Sequence, residues 1–334
     1  MAEKVTITVD ALGGDDAPGV VLDGVAQALA ADPDLSVILC GPAEVVEPFA
    51  ASHERAEARA TTEFIAMDEH PANAVRRKKD SSLVVGCRLV KEGAADGFFS
   101  AGSTGACLAA ATLVMGRVKG VKRPALGQVL PAYGTPTLLL DVGANADCKA
   151  EYLVQFAQMG AVYAREIMGV AAPRVGLLNI GEEDTKGSAA AQEAHALLRA
   201  EVPEFAGNAE GRDILAGTFD VVVTDGFTGN VCLKAIEGTS SVLFRYMKDA
   251  LMASAKGKLG ALLVKGDLAE LKGKLSPDTH GGAPLLGVKG ACVVGHGSSS
   301  PLAIKNGVLA AARTVRSHVS EVIAAKVIEG GERA

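Results

Sequence analysis

At 334 residues the chain is longer than one hydrophobic core usually organises. With 49% hydrophobic residues, 4% aromatics and no Trp, its interior has to be packed from Ala, Val, Leu and Ile, which favours α/β layering. The 33 Lys and Arg against 39 Asp and Glu leave a formal charge of −6, with neither a basic arm nor an aromatic-rich basic stripe, which argues against nucleic acid as the main partner.

The amino terminus, MAEKVTITVDALGG, enters a strand at once, without a basic and then apolar leader, and no apolar run reaches the ~18 residues of a spanning helix. The six cysteines stand at least 20 positions apart, so there is no C-x-x-C, no zinc-finger spacing and no dense disulfide framework. A cytoplasmic protein with reduced thiols is expected. Strands are predicted over 5–9, 37–40, 63–67, 97–99, 126–130, 137–142, 175–180, 219–224 and 291–294, with helical patterns between them, the signature of a largely parallel sheet. The last strand and the helix from Pro301 need a sheet to dock on. A first lobe is therefore expected from 1–126 plus 290–334, and a second from 127–289. Around 240–275 lies a basic amphipathic helical hairpin, interrupted by Gly257, Gly260 and Gly266, which suits a dimer seam, a membrane surface or an acidic partner.

Five strand ends run into a Gly-bearing polar turn and then a helix: FFSAGSTGA, LLLDVGANADCK, LLNIGEEDTKG, VVTDGFTGN and VVGHGSSSP. At the carboxyl edge of a parallel sheet such turns border ligand crevices, so they are expected to surround one site. In the first, Gly102 and Gly105 allow close backbone approach, and Ser103 and Thr104 offer hydroxyls to a phosphate at a helix start; alternatively Ser103 or Thr104 merely caps the helix. In HGSSS, His296 stands beside Ser298 and Ser299, and an imidazole among hydroxyls can orient a nucleophile or donate to an anion. His53, His195 and His318 read as structural.

GEEDTKG places Glu182 and Glu183 where acidic capping is favoured, and Lys186 where a cation in the first helical turn needs an anion to offset the dipole. Asp141 with Asn145, and Asp225 with Asn230, can bind a metal, a ligand hydroxyl or a neighbouring loop, but no D-x-x-x-D or H-x-x-x-H spacing supports a metal. RRKKDSS gathers Arg76, Arg77, Lys78 and Lys79 before a helix capped by Asp80 or Ser81; it is either a solvated run or a contact for an anionic protein partner or a phosphorylated prosthetic group. DALGGDDAP bends sharply after the first strand. Neither G-x-G-x-x-G, G-x-x-x-x-G-K-[ST] nor G-x-S-x-G occurs, which excludes the common dinucleotide, P-loop and nucleophile-elbow sites.

In this order, VDALGGDDAP, RRKKDSS, SAGSTGA, LDVGAN, LNIGEEDTKG, DGFTGNVCLK, GGAPLLGV and HGSS resemble the phosphate acyltransferase family of bacterial phospholipid synthesis over 9–299. Members commonly carry Asn where Ser103 stands and Tyr where His280 stands. The resemblance implies a three-layer α/β/α fold like phosphotransacetylase and the isocitrate/isopropylmalate dehydrogenases, with two lobes and a cleft. It further implies a cytosolic homodimer that can contact membrane peripherally or meet a membrane-bound downstream acyltransferase, no cofactor, and conversion of acyl-acyl-carrier-protein and inorganic phosphate to acyl phosphate. On that expectation Gly102, Ser103, Thr104 and Gly105 hold phosphate together with Lys186 or with Ser298 and Ser299. His296 first, and Asp225 second, polarises the carbonyl or accepts a proton. Asp141, Asn145, Asn179 and Asn230 complete the substrate site, and Arg76, Arg77, Lys78 and Lys79 meet the acidic carrier. The rivals are a coenzyme A-dependent phosphotransacetylase, a decarboxylating dehydrogenase of the same fold, and a non-catalytic phosphate-sensing or scaffolding module.

Overall fold

The computed structural model describes residues 3–275, 279 and 281–333. Eleven strands are present among them: β1 Val5–Asp10, β2 Leu35–Gly41, β3 Ala56–Ala60, β4 Gly97–Ser100, β5 Ala125–Leu130, β6 Thr137–Leu140, β7 Val175–Leu178, β8 Phe205–Ala209, β9 Val221–Val223, β10 Ala283–Leu286 and β11 Ala291–Val294. They form one sheet in the order β3-β2-β1-β4-β11-β10-β5-β6-β9-β7-β8. The block β3-β2-β1-β4-β11 is parallel throughout, as is β6-β9-β7-β8. Between the blocks, β10 pairs antiparallel with β11 and β5, and β5 antiparallel with β6.

Side chains alternate across the strands, and apolar helices cover both faces. Phe99 and Val293 join Ile304 and Val308 on one side, whereas Phe98 and Cys292 join Leu83 and Cys87 on the other. This explains why the central strands are continuous apolar runs: VVV of β9 and ACVV of β11 are wholly buried. The helices approach the sheet and one another closely through small residues. Gly24 lies where any Cβ would overlap Ile304, so the helices Gly19–Ala31 and Pro301–Arg316 meet backbone to side chain. Beyond the junction, the helix Ala150–Glu166 packs its buried face, with Phe156 and Met159, on the second block.

Three sequence expectations are corrected here. The apolar run 63–67 is not a strand: AEARA of β3 takes the edge instead, and Glu63 makes only a single bridge to Ser81 while Ile65 turns inward. Edge position suits the charged pattern of β3, which exposes all but its first residue. Strands β8 and β10 were not anticipated, because FAGNA is an edge strand of small and polar residues and APLL is short and carries Pro. The hairpin glycines do not break helices: Gly226–Met252 runs unbroken for 27 residues, and Gly257, Gly260 and Gly266 lie inside Ala255–Leu263 and Lys265–Leu275. The break comes at Ser254, whose hydroxyl accepts the Gly257 N–H at 3.0 Å. Among the described residues no helix is long and apolar enough to cross a membrane.

Candidate active site

The two parallel blocks run in opposite senses, which by itself would send their carboxyl ends apart. The turns after β4, β11 and β6 and the helix after β9 nevertheless open onto one cavity of about 610 Å³. Thr104 and Gly105 enter from β4, His296, Ser298 and Ser299 from β11, Gly143 from β6, and Asn230 from the helix Gly226–Met252. Leu108, Leu126 and Leu233 make an apolar wall.

The turn after β11 orients its histidine internally. The Ser298 N–H donates to His296 Nδ1 at 3.3 Å, and Ser298 Oγ lies 2.9 Å from the same nitrogen. An Nδ1 that accepts from this amide leaves Nε2 as the ring nitrogen that can donate. Ser299 Oγ accepts the His296 N–H at 3.1 Å, and the Ser299 N–H donates back to the His296 carbonyl at 2.9 Å. Ser300, and neither of its two neighbours, caps the following helix by accepting from the Ala303 N–H at 3.2 Å.

The turn after β4 is braced from beneath by the first strand. Ser100 Oγ donates to Asp10 Oδ2 at 2.8 Å and accepts the Gly102 N–H at 3.0 Å, so that amide is already engaged within the protein. Burial pushes the Asp10 carboxyl up from its ordinary range, against the opposing hydrogen bonds from Ser82, Ser100 and Leu12. DALGGDDAP wraps over both turns: a Cβ on Gly13 would stand 2.8 Å from the Gly102 nitrogen, and the Asp15 N–H donates to the Gly297 carbonyl at 2.8 Å. Ser103 occupies the N-cap position without a side-chain bond to its helix, and it is buried. Gly105 is required by packing, since a Cβ there would meet Pro71 at 2.7 Å.

The remaining sequence candidates divide. Asn230 borders the cavity, and its Nδ2 donates to the Val142 carbonyl at 2.9 Å. Asp141 is fully buried and staples its own turn, accepting from the N–H groups of Leu126, Gly143, Ala144 and Asn145 at 2.8–3.1 Å. Burial still pushes its carboxyl up. Asn145 donates to Asp141 and to the Pro124 carbonyl. Asp225 caps its helix, accepting from the Thr228 N–H at 2.8 Å and the Thr228 hydroxyl at 2.7 Å. The glycines of TDGFTGN let that helix seat on the β6 turn, for a Cβ on Gly229 would overlap the Asp141 carbonyl oxygen.

The turn after β7 does not reach the cavity. Lys186 precedes the helix Ala189–Glu201, whose N-cap is Ser188, so it occupies no first helical turn and the dipole argument for it falls away. Its ammonium lies 3.6 Å from Glu183, and Asn179 ties the turn by donating to the Lys186 carbonyl at 3.1 Å. Glu182 and Glu183 likewise stand outside the first helical turn. Of the basic run, Lys78 is tied to Glu69 at 2.6 Å and the Phe64 carbonyl at 2.9 Å, while Arg76, Arg77 and Lys79 are exposed. Asp80 bonds Thr62 and caps nothing. His280 lies outside the described residues.

Two charged groups of the cavity had been passed over. Lys234 and Glu237 line it, 2.8 Å apart, on the same helix as Asn230 and Leu233. The spacing of Asn230, Leu233, Lys234 and Glu237 is i, i+3, i+4, i+7, one helix face, so the signal was present in TGNVCLKAIE. Burial pushes the Cys107 thiol up to about 12 and raises that of Cys232. Among the described residues no group of three or more His, Cys, Asp or Glu is placed to hold a metal ion.

The profile of a family described as fatty acid synthesis protein matches residues 5–322. A phosphate acyltransferase of Desulfitobacterium hafniense (strain Y51) is 49% identical over 321 residues, covering 95% of this chain and 96% of the relative. One from Bacillus pumilus (strain SAFR-032) is 44% identical over 318 residues, with 95% and 96% covered. Among solved structures, a phosphotransacetylase from Streptococcus pyogenes superposes with a TM-score of 0.59 at 16% identity, covering 95% of this chain and 94% of that one. A branched-chain phosphotransacylase from Enterococcus faecalis V583 gives 0.58 at 15%, covering 93% and 99%. The fold is therefore phosphotransacetylase-like, and the chain belongs to the phosphate acyltransferase family, a family of acyl-transferring enzymes.

Proposed function

We propose that this chain makes acyl phosphate from acyl-acyl-carrier-protein and inorganic phosphate, as a step of phospholipid synthesis. The observation that carries the reading is one cavity in which hydroxyls, an imidazole donor and a lysine face an apolar wall. Thr104, Ser298, Ser299 and Lys234 hold phosphate, with Ser103 behind the turn. Lys234 takes the part first expected of Lys186, because it borders the cavity and Lys186 does not. His296 donates from Nε2 to the thioester carbonyl as negative charge gathers on that oxygen.

Monohydrogen phosphate supplies both nucleophile and proton. One of its oxygens bonds to the acyl carbon, the carbon–sulfur bond breaks, and the hydrogen it carried goes to the departing sulfur. No covalent enzyme intermediate is needed, and holding the two reactants together can lower the barrier by ~7–11 kcal/mol. The exposed Arg76 and Arg77 suit an acidic carrier. Exposed Leu243, Tyr246, Leu262 and Leu263 on the long helices support a homodimer contact, with peripheral membrane association as the other occupant.

The test is to trap acyl phosphate with hydroxylamine after mixing the protein with acyl carrier protein thioester and phosphate. Hydroxamate should appear only when phosphate is present. A thioester left intact overturns the reading in favour of a phosphate-binding module without turnover.

A further inference from the structure

A second cavity, of about 850 Å³, adjoins the first. Three stretches of chain pass from one to the other. Leu108 borders both, Val142 and Gly143 of the first give way to Ala144 and Asn145 of the second, and Leu126 gives way to Arg123 and Pro124. The second cavity has a lining unusual for an acidic chain: Arg76, Arg117, Lys122 and Arg123 border it, and no Asp or Glu does. Two of these cations are engaged. Lys122 pairs with Glu151, and Arg117 donates to the carbonyls of Val121 and Lys122. Arg123 lies over the ring of Tyr152, 6.0 Å from its centroid, which leaves the edge of its guanidinium for a ligand. Leu113, half exposed at 49%, and Tyr152 add apolar surface beside these charges.

We infer that this second cavity receives the phosphate of a phosphopantetheine arm, so that the arm's thioester end passes Leu108 into the first cavity; Arg76 and Arg123 are the anion-binding pair. The inference rests on the acyl-transfer reading above. Its chemical logic is that a thioester donor on such an arm carries a fixed anionic group at a distance from its reacting carbon, joined by an uncharged linker. A cluster of cations with mixed apolar walls, sharing Leu108 with the reaction cavity, matches that distribution. A planar guanidinium grips phosphate oxygens bidentately and stays charged at every working pH.

The experiment compares two donors differing only in the phosphate, an acyl-phosphopantetheine and the corresponding acyl-pantetheine, in the parent and in Arg76→Glu/Arg123→Glu. The parent should prefer the phosphorylated donor, and the double variant should lose that preference by about tenfold to hundredfold in kcat/KM, the range of a lost hydrogen bond to a charged group. Lys91→Glu, the same charge change on an exposed lysine at the end of the helix Ser82–Lys91, should keep the parental ratio. A ratio that is unaltered in the double variant overturns the assignment, as does an equal fall with Lys91→Glu, which would mark a general field effect. Because each variant is read as a ratio between donors, partial misfolding cancels. If the parent forms no acyl phosphate from either donor, the acyl-transfer reading itself has failed; if it turns over both without preference, only the cavity assignment has. The arm occurs both on carrier protein and in coenzyme A. Repeating the series in Arg123→Glu alone, which leaves the carrier-facing Arg76 in place, with an acyl carrier protein and an acyl-coenzyme A separates the two, since the donor the cavity serves falls in parallel with the free arm.

Discussion

The turns after β11 and β7 start from similar sequence, a glycine and a string of polar residues between a buried strand and a helix, yet one lines a cavity and the other closes on itself. In HGSSS the helix is capped by Ser300, and the His296 ring and the Ser298 hydroxyl stand 2.9 Å apart at the cavity wall. In GEEDTKG each acid has a cation nearby: Glu182 meets Arg212 at 3.1 Å, Asp184 meets Arg199 at 3.0 Å, and Glu183 faces Lys186. Exposed pairs of this kind contribute only about 0–1 kcal/mol each. They neutralise the turn without making it a site. A polar turn becomes functional when its groups are left over after the helix has been capped and the charges matched.

The sharpest way to break the contrast is His296→Ala. Loss of one donor to a developing oxyanion should lower kcat by roughly 10²–10³, measured by hydroxamate formation at saturating phosphate; a fall of less than tenfold would take His296 out of the chemistry. Next come the two lysines. Lys234→Ala should raise the KM for phosphate by about tenfold to hundredfold, the scale of a charge-assisted hydrogen bond, whereas Lys186→Ala should change it by less than about twofold, as for an exposed pair. The reverse pattern would move the phosphate site to the β7 turn.

The smallest expected effect concerns the brace beneath the β4 turn. Because burial raises the folded-state value of Asp10 above its unfolded one, the stabilisation from its protonated form is fully present below the ordinary carboxylate value near 3.8 and is lost as pH rises through the folded value. Asp10→Asn stays neutral throughout. The difference in Tm between Asn variant and parent should thus shift in favour of the variant as pH is raised from 4 to 8. A difference independent of pH would mean that Asp10 ionises freely in the fold.

Much of this was legible in the residues. The β-branched runs marked nine strand regions, of which eight fall on strands, and His296, Thr104, Ser298 and Ser299 border the cavity they were expected to surround. What failed was the premise that all five turns face one site. Asp141, Asn145, Asp225 and Asn179 look like ligand groups in sequence, but they bond backbone and side-chain groups of their own turns or of neighbours up to 21 positions away. Lys234 was missed for the opposite reason, since its spacing to Asn230 marks a shared helix face but not which way that face points.

Local chemistry, carried by spacing and residue type, was sufficient to specify a layered α/β chain with hydroxyl-rich helix starts, because strand period, capping and glycine freedom act over a few residues. Which of those starts would meet depended on the antiparallel pair β10 and β5, which joins two opposed parallel blocks. Those pairings are contacts between residues distant in sequence. No single segment encodes them.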